Sequence, residues 1–189
     1  DGRLLAFETE RARRIHSVEV SRAALRAVAF SPDGRVVAAT GDEGSVFVYR
    51  TDTATLLRTH RDEGGPAVRL AFADAGRRIV VGRADGSIQA FEATGPRRVF
   101  SLAAHAGPIT GLWPDTGEAV LSVSLDGTLR SHGPRGEPRR IGGGAGADWT
   151  GFSLYEAGRR SSCTAETAPN ASRSARATES SESSRSCSR

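Results

Sequence analysis

Residues 25–50, Leu-Arg-Ala-Val-Ala-Phe-Ser-Pro-Asp-Gly-Arg-Val-Val-Ala-Ala-Thr-Gly-Asp-Glu-Gly-Ser-Val-Phe-Val-Tyr-Arg, hold three short apolar runs separated by two turns. The first turn is Ser-Pro-Asp-Gly at 31–34 and the second Gly-Asp-Glu-Gly at 41–44. Runs of β-branched and aromatic residues bounded in this way read as antiparallel strands of a meander. The unit recurs along the chain. The glycine of the second turn returns as Gly2, Gly44, Gly86 and Gly127, at spacings of 42, 42 and 41 residues. Five residues after each stands a ring: Phe7, Tyr49, Phe91 and His132. The first-turn glycine returns as Gly34, Gly76 and Gly117, ten residues ahead of the second.

A period of this length with about four strands per repeat is the sequence sign of a β-propeller blade. Residues 1 to about 160 resemble the WD-repeat propeller family, most specifically in Ala27-Val-Ala-Phe-Ser-Pro-Asp-Gly-Arg35. The Trp-Asp pair of that family is absent from every copy, standing as Phe7 and Glu8, Tyr49 and Arg50, Phe91 and Glu92, and His132 and Gly133. The repeats are degenerate. The expected fold is all-β: an incomplete propeller of three whole four-stranded antiparallel blades, with a half blade ahead and a rudimentary one behind.

In chain order, strands are expected near 3–7 and 14–20, then at 25–30, 35–40, 45–49 and 55–59. The next blade takes 67–72, 78–82, 87–91 and 97–102, and the third 109–113, 118–123, 128–132 and 138–141. The runs Val36 to Thr40 and Ile79 to Gly82 are apolar on both faces. Continuous apolar runs imply burial on both sides, as when a blade is packed between two others. Trp149 to Arg160 begins a further unit by echoing Phe72 to Arg78, and ten residues past Gly158 the expected turn glycine is Ala168. From Arg159 to Arg189 there is no Val, Ile, Leu, Phe, Tyr or Trp, and ten of the 31 residues are Ser. Such a segment buries too little apolar surface to offset its ordering entropy. Residues 1–160 therefore read as the propeller domain and 161–189 as an unstructured Ser/Arg-rich tail. The abrupt change within a repeat suggests a disrupted reading frame.

The chain of 189 residues contains no Met and opens inside a repeat, which reads as a fragment of a larger protein. Its 26 basic residues are all Arg, a bias expected of a GC-rich, bacterial genome. The net charge of +4 is spread over turns and edges, with no aromatic interleaving of a nucleic-acid groove. No run approaches the ~18 apolar residues of a membrane span, and the first twenty residues are too charged for a signal peptide. The expected location is the cytoplasm. Cys163 and Cys187 both lie in the polar tail, without His at zinc spacing. The stretch Gly142 to Gly146 lacks the Lys-Ser/Thr of a phosphate loop and reads as a connector.

In WD repeats a His before the first strand, a Ser or Thr on the second, an Asp in the second turn and the third-strand ring form a hydrogen-bonded tie. The third copy matches with His105, Ser122 and Asp126, with His132 at the ring position. The second copy keeps Asp85 but has Val81 at the hydroxyl position, and the first has Glu43 and Ala39. A Ser, His and Asp together also evoke a hydrolase, but no Gly-x-Ser-x-Gly elbow is present. His105 and His132, 27 residues apart, form no metal-binding pair of helical spacing. No catalytic, cofactor or metal residue is expected. His16 and His60, near blade junctions, read as solvated or capping residues, and Phe7, Tyr49, Phe91 and Trp113 as blade core.

The resemblance implies a non-catalytic surface for protein–protein contacts, presented by loops such as 61–66, 107–108 and 142–147. Three and a half blades cannot close, so the isolated chain is expected to self-associate through its exposed end faces. The alternative is a cofactor- or ligand-binding propeller of the quinone-dependent dehydrogenase type, which residues 86–95 faintly resemble. The metal-coordinating acids and axial Trp residues of those enzymes are not visible in the chain.

Overall fold

A computed structural model describes residues 2–61, 64–115 and 118–143, together with the backbone of 152–157 and 160–165. Sixteen strands run through these residues. The first two, β1 (Arg3–Glu8) and β2 (Arg13–Glu19), form a two-stranded sheet. The first complete blade is β3 (Leu25–Phe30), β4 (Val36–Gly41), β5 (Val46–Arg50) and β6 (Leu56–His60). The second is β7 (Ala67–Ala73), β8 (Arg78–Arg83), β9 (Ser87–Glu92) and β10 (Arg98–Ala103). The third is β11 (Ile109–Pro114), β12 (Val120–Ser124), β13 (Thr128–His132) and β14 (Pro138–Gly143). A hairpin of β15 (Phe152–Ala157) and β16 (Arg160–Ala165) follows. Each four-stranded sheet is an antiparallel meander in sequence order. No sheet closes on itself among the described residues. The architecture is the open arc of a propeller that the 42-residue period implies.

The second-strand runs owe their burial on both faces to the stacking of blades. Along β8, alternate side chains point to opposite sides of the sheet. Ile79 and Val81 pack with Val46, Val48, Leu70, Phe72 and Phe91 in the layer shared with the first blade. Val80 packs with Ile88, Ala90, Ile109, Leu112 and Val120 in the layer shared with the third. Strand β7 lies against β3 and β4 on one side, and against β11 on the other. The first strand of each blade therefore forms the inner rim of the arc.

Two expectations about the core change at the N-terminal side. Tyr49 and Phe91 are buried, but Phe7 is 55% exposed and Phe30 57% exposed. The cause is the incomplete covering on that side: β1 pairs with β2 along one edge only, and Phe30 lines a groove against this two-stranded sheet, whereas Phe72 on β7 packs against a complete blade. His60, expected to be solvated or capping, is instead buried at 5% exposure and stacks on Phe91 of the second blade at 4.8 Å. Its ring sits at the end of β6, where the adjacent blade covers it, and burial lowers its pKa. His16 is half-buried, with Nε2 2.9 Å from the Asp52 carbonyl, joining β2 to the first blade.

Strand β16 covers residues 160–165, so the first residues of the segment read as an unstructured tail are in a hairpin with β15. Ser, Cys, Thr and Ala are short enough for an edge strand, whose backbone bonds do not require a large side chain. Residues 166–189 lie outside the described residues.

Candidate functional site

The most connected polar cluster lies inside the third blade. The loop before β11 carries His105, β12 carries Ser122, the β12–β13 turn carries Asp126, and β13 carries Thr128 and His132. Strand pairing brings them together: β12 and β13 are in register from Val120 opposite His132 to Val123 opposite Leu129. His105 Nδ1 is 3.0 Å from Asp126 Oδ2 and 3.0 Å from Thr128 Oγ1. His105 Nε2 is 2.7 Å from Ser122 Oγ, and Ser122 Oγ is 2.7 Å from His132 Nε2. Asp126 also accepts from the backbone N–H of Ala106 at 3.0 Å and of Thr128 at 2.9 Å, and from the Thr128 hydroxyl at 2.7 Å.

These contacts fix the protons. The Thr128 hydroxyl spends its hydrogen on Asp126, so His105 must carry its proton on Nδ1 and donate it to the same carboxylate. A neutral His105 then has a bare Nε2, which accepts the Ser122 hydroxyl. Ser122 in turn accepts the Nε2–H of His132. The chain of donors runs one way, from His132 through Ser122 and His105 to Asp126. Burial lowers the pKa of His105 despite the opposing pull of Asp126. Burial, reinforced by His105 and Arg130, lowers that of His132 to about 4. For Asp126 burial acts upward, but the Thr128 hydroxyl, the N–H groups of Ala106 and Thr128, and His105 outweigh it and hold the carboxyl at about 2. Both rings are thus neutral and the carboxylate is charged near neutral pH.

Ser122, His105 and Asp126 stand in the order of a nucleophilic triad, yet Ser122 and His132 are fully buried. No path leads a substrate to the hydroxyl, which donates to one imidazole and accepts from the other. Among the described residues, no three His, Cys, Asp or Glu side chains are gathered to hold a metal ion. Asp126→Ala is expected to destabilise the chain by about 1–3 kcal/mol, because four donors lose their acceptor. Chemical unfolding measures this, and a loss within the ±0.5 kcal/mol of surface sites would contradict the network.

The other blades solve the same position differently. In the second, Asp85 keeps the turn contact, accepting from Ser87 N–H at 2.9 Å, while Val81 replaces the hydroxyl. The polar bridge there is Arg83, fully buried, which donates to the carbonyls of Gly65 and, at 3.2 Å, of Gly44 in the first blade. It also donates to Gln89 Oε1 at 3.0 Å. Sequence reasoning overlooked Arg83. The available signal was a lone charge closing the apolar run Ile79-Val-Val-Gly-Arg83.

Of the three loops read as a binding rim, 107–108 is described and 61–66 and 142–147 are described in part. Gly107 accepts from Ser124 Oγ at 2.8 Å, so this loop is fastened to the third blade.

Comparison with known proteins gives the same architecture. Residues 28–116 match the family model described as the anaphase-promoting complex subunit 4 WD40 domain. The telomerase protein component 1 of Mus musculus is 29% identical over 117 residues, covering 61% of this chain and 4% of that protein. The periodic tryptophan protein 2 homolog of Dictyostelium discoideum is 29% identical over 130 residues, covering 66% of this chain and 14% of that protein. Among solved structures, U3-55K superposes with a TM-score of 0.69 at 17% identity, over 75% of this chain and 46% of that one. This chain thus spans a small part of the curated relatives and under half of the solved propeller.

Proposed function

Because the chain belongs to the WD-repeat β-propeller family, we propose that it is a segment of a non-catalytic, cytoplasmic scaffold that docks other proteins. The observation that carries this reading is the enclosure of Ser122: the Ser, His and Asp constellation found among the described residues is sealed inside a blade, with Ser122 at 0% exposure. What the arc presents to solvent is loops, strand edges and rims, and in repeat folds such surfaces bind while the strands hold the frame. The matched family and the curated relatives bear the names of assembly components, an anaphase-promoting complex subunit and a telomerase component. Those relatives come from mouse and Dictyostelium, and do not support the bacterial source that the Arg bias suggested. A protein, rather than a nucleic acid, is the partner proposed, since arginines are engaged by the arc itself: Arg26, Arg50 and Arg77 with carboxylates of their own blades, and Arg69 with the Thr110 carbonyl of the next.

The proposal extends to the isolated chain, which self-associates through its bare N-terminal face. Leu5 and Phe7 on β1, and Val28 and Phe30 on β3, are each 47–57% exposed, apolar surface of the kind that drives association.

Cross-linking mass spectrometry of the chain with captured partners should place contacts on the rim near Gly107 and Pro108, and Ser122→Ala should leave partner capture intact. Pyrroloquinoline quinone with calcium should leave the melting temperature unchanged. A rise of several degrees, or a turnover that Ser122→Ala abolishes, would overturn the reading in favour of a ligand-binding or catalytic propeller.

A further inference from the structure

The two seams between complete blades are built from equivalent positions but from opposite chemistry. On β10, Phe100 and Leu102 lie opposite Ala90 and Ile88, four and two residues past Gly86. Both pack against the core shared with the third blade and reach Gly136, so the second seam is closed by apolar side chains. On β6 the same two positions, opposite Val48 and Val46 and four and two residues past Gly44, hold Arg58 and His60. The first seam is left as a cleft of about 340 Å³.

Four side chains meet across it because of strand alternation and pairing. Arg58 and His60 share one face of β6, two residues apart. On the second blade, Phe91 of β9 and Arg98 of β10 are directly paired. Arg61 and Pro96 complete the walls. Among the described residues the lining holds three guanidiniums and no carboxylate. Arg58 gives Nε to the Thr94 carbonyl at 3.3 Å and keeps its other donors. The guanidiniums of Arg61 and Arg98 have no hydrogen-bond partner among the described residues. Glu92, whose charge reaches His60, is engaged by Arg97 Nε at 2.8 Å. Asp62 and Glu63, next after Arg61, lie outside the described residues.

His60 supplies an independent sign of a ligand. Its ring is 5% exposed and held by its stack on Phe91. Its Nε2 is buried without a hydrogen-bond partner among the described residues. Buried polar atoms are ordinarily satisfied, and this one belongs to a residue lining a basic cleft. Burial lowers the pKa of the ring, while the backbone of Ala93 favours the protonated form. A bound oxyanion would favour that form further and accept its Nε2–H.

The donor set selects the anion. Three guanidiniums and an imidazole offer more donors than the two oxygens of a carboxylate can use, whereas a phosphoryl group presents three acceptor oxygens and nearly two negative charges. The place also suits an extended chain. Strand β6 is the outermost of its sheet, so its free edge offers backbone groups to a passing peptide.

We infer that the cleft between β6 and β10 binds a phosphorylated serine or threonine of a partner protein, with Arg58, Arg61 and Arg98 holding the phosphoryl oxygens and His60 closing the site. This rests on the reading that the arc docks other proteins, and names the chemistry of the partner.

The test is calorimetric titration of the whole chain with the blocked peptide Gly-Gly-phosphoserine-Gly-Gly, beside its unphosphorylated form and vesicles of phosphatidylcholine carrying phosphatidylinositol phosphate. The phosphorylated peptide should bind and shift the ring resonances of His60, and the unphosphorylated one should bind about tenfold more weakly or worse. Arg61→Gln and Arg98→Gln, at exposed positions, should each weaken binding about tenfold without moving the melting temperature. Arg58→Phe with His60→Leu, which copies the second seam, should keep the fold and abolish binding. Equal binding of the two peptides, no binding of either, binding to the vesicles alone, or affinity unchanged by Arg61→Gln and Arg98→Gln would overturn the phosphate site. Partner contacts near Gly107 that survive phosphatase treatment would overturn it too while leaving the docking reading standing. Absence of those contacts from untreated partners, with phosphopeptide binding intact, would count against the docking reading alone.

Discussion

Gly86→Ala is expected to cost about 3–5 kcal/mol, far more than a glycine substitution in an ordinary turn. Gly86 has φ +84, where an L side chain is strained by about 1–2 kcal/mol. The larger part is steric. A Cβ there would stand 2.4 Å from the carbonyl oxygen of His105 and 2.7 Å from that of Gly107, both backbone atoms of the next blade's entry loop. The same glycine accepts from the N–H groups of Ala104 and His105, at 3.2 and 3.0 Å, so retreat of the loop breaks what holds it. Gly34 supplies the control, with φ +69 and nothing within 4 Å of its hypothetical Cβ. Gly34→Ala should cost only the conformational part, about 1–2 kcal/mol. Urea unfolding of both variants at matched concentration decides the matter: equal losses would show that the close approach at Gly86 is not sustained.

Acid should destabilise the fold in a window set by His132. Its ring is neutral and fully buried in the folded chain, with a pKa of about 4, and ordinary near 6.5 when unfolded. Between these values the unfolded state binds the extra proton, so stability is complete above pH 6.5 and falls as pH drops toward 4. A difference of this size corresponds to about 3 kcal/mol. His105, also held low, adds to the loss in the same direction. Below pH 4 a separate loss begins as Asp126, held at about 2, is forced to take a proton. His132→Phe should flatten the upper window, because it removes both the titrating ring and a buried Nδ1 that has no partner among the described residues. Unfolding midpoints of the two proteins at pH 7.5 and 4.5 should differ most in the acid, and parallel profiles would rule out the assignment to His132.

The strands were legible because turn chemistry punctuates them. Glycines at 34, 44, 76, 86 and 127 all adopt positive φ, the conformation that made them recur at fixed intervals. The contacts of His105, Ser122 and Asp126 were readable for a similar reason, since each occupies a fixed place relative to a turn. What could not be read depended on neighbours distant in sequence. Phe7 and Tyr49 share a repeat position, yet one is exposed and the other buried, because only Tyr49 has a strand on its far side. The burial of His60 and Arg83 likewise comes from the adjoining blade, through Phe91 for one and Gly44 for the other. The hairpin at Arg160 to Ala165 escaped an argument built on large apolar side chains, since its pairing is carried by the backbone.

Among the described residues, the principal contacts between sheets join successive blades: β3 and β4 to β7, then β7 and β8 to β11. A fold wired in this way has no central hub, and its cohesion passes along the arc as through links of a chain. The second blade, flanked on both faces, becomes the slowest part to exchange its amide hydrogens, while protection declines toward either end. Pulled from its termini, such an arc gives way one blade at a time from the outside inward. Force would therefore meet a series of modest barriers, where a closed ring of the same blades would offer a single large one.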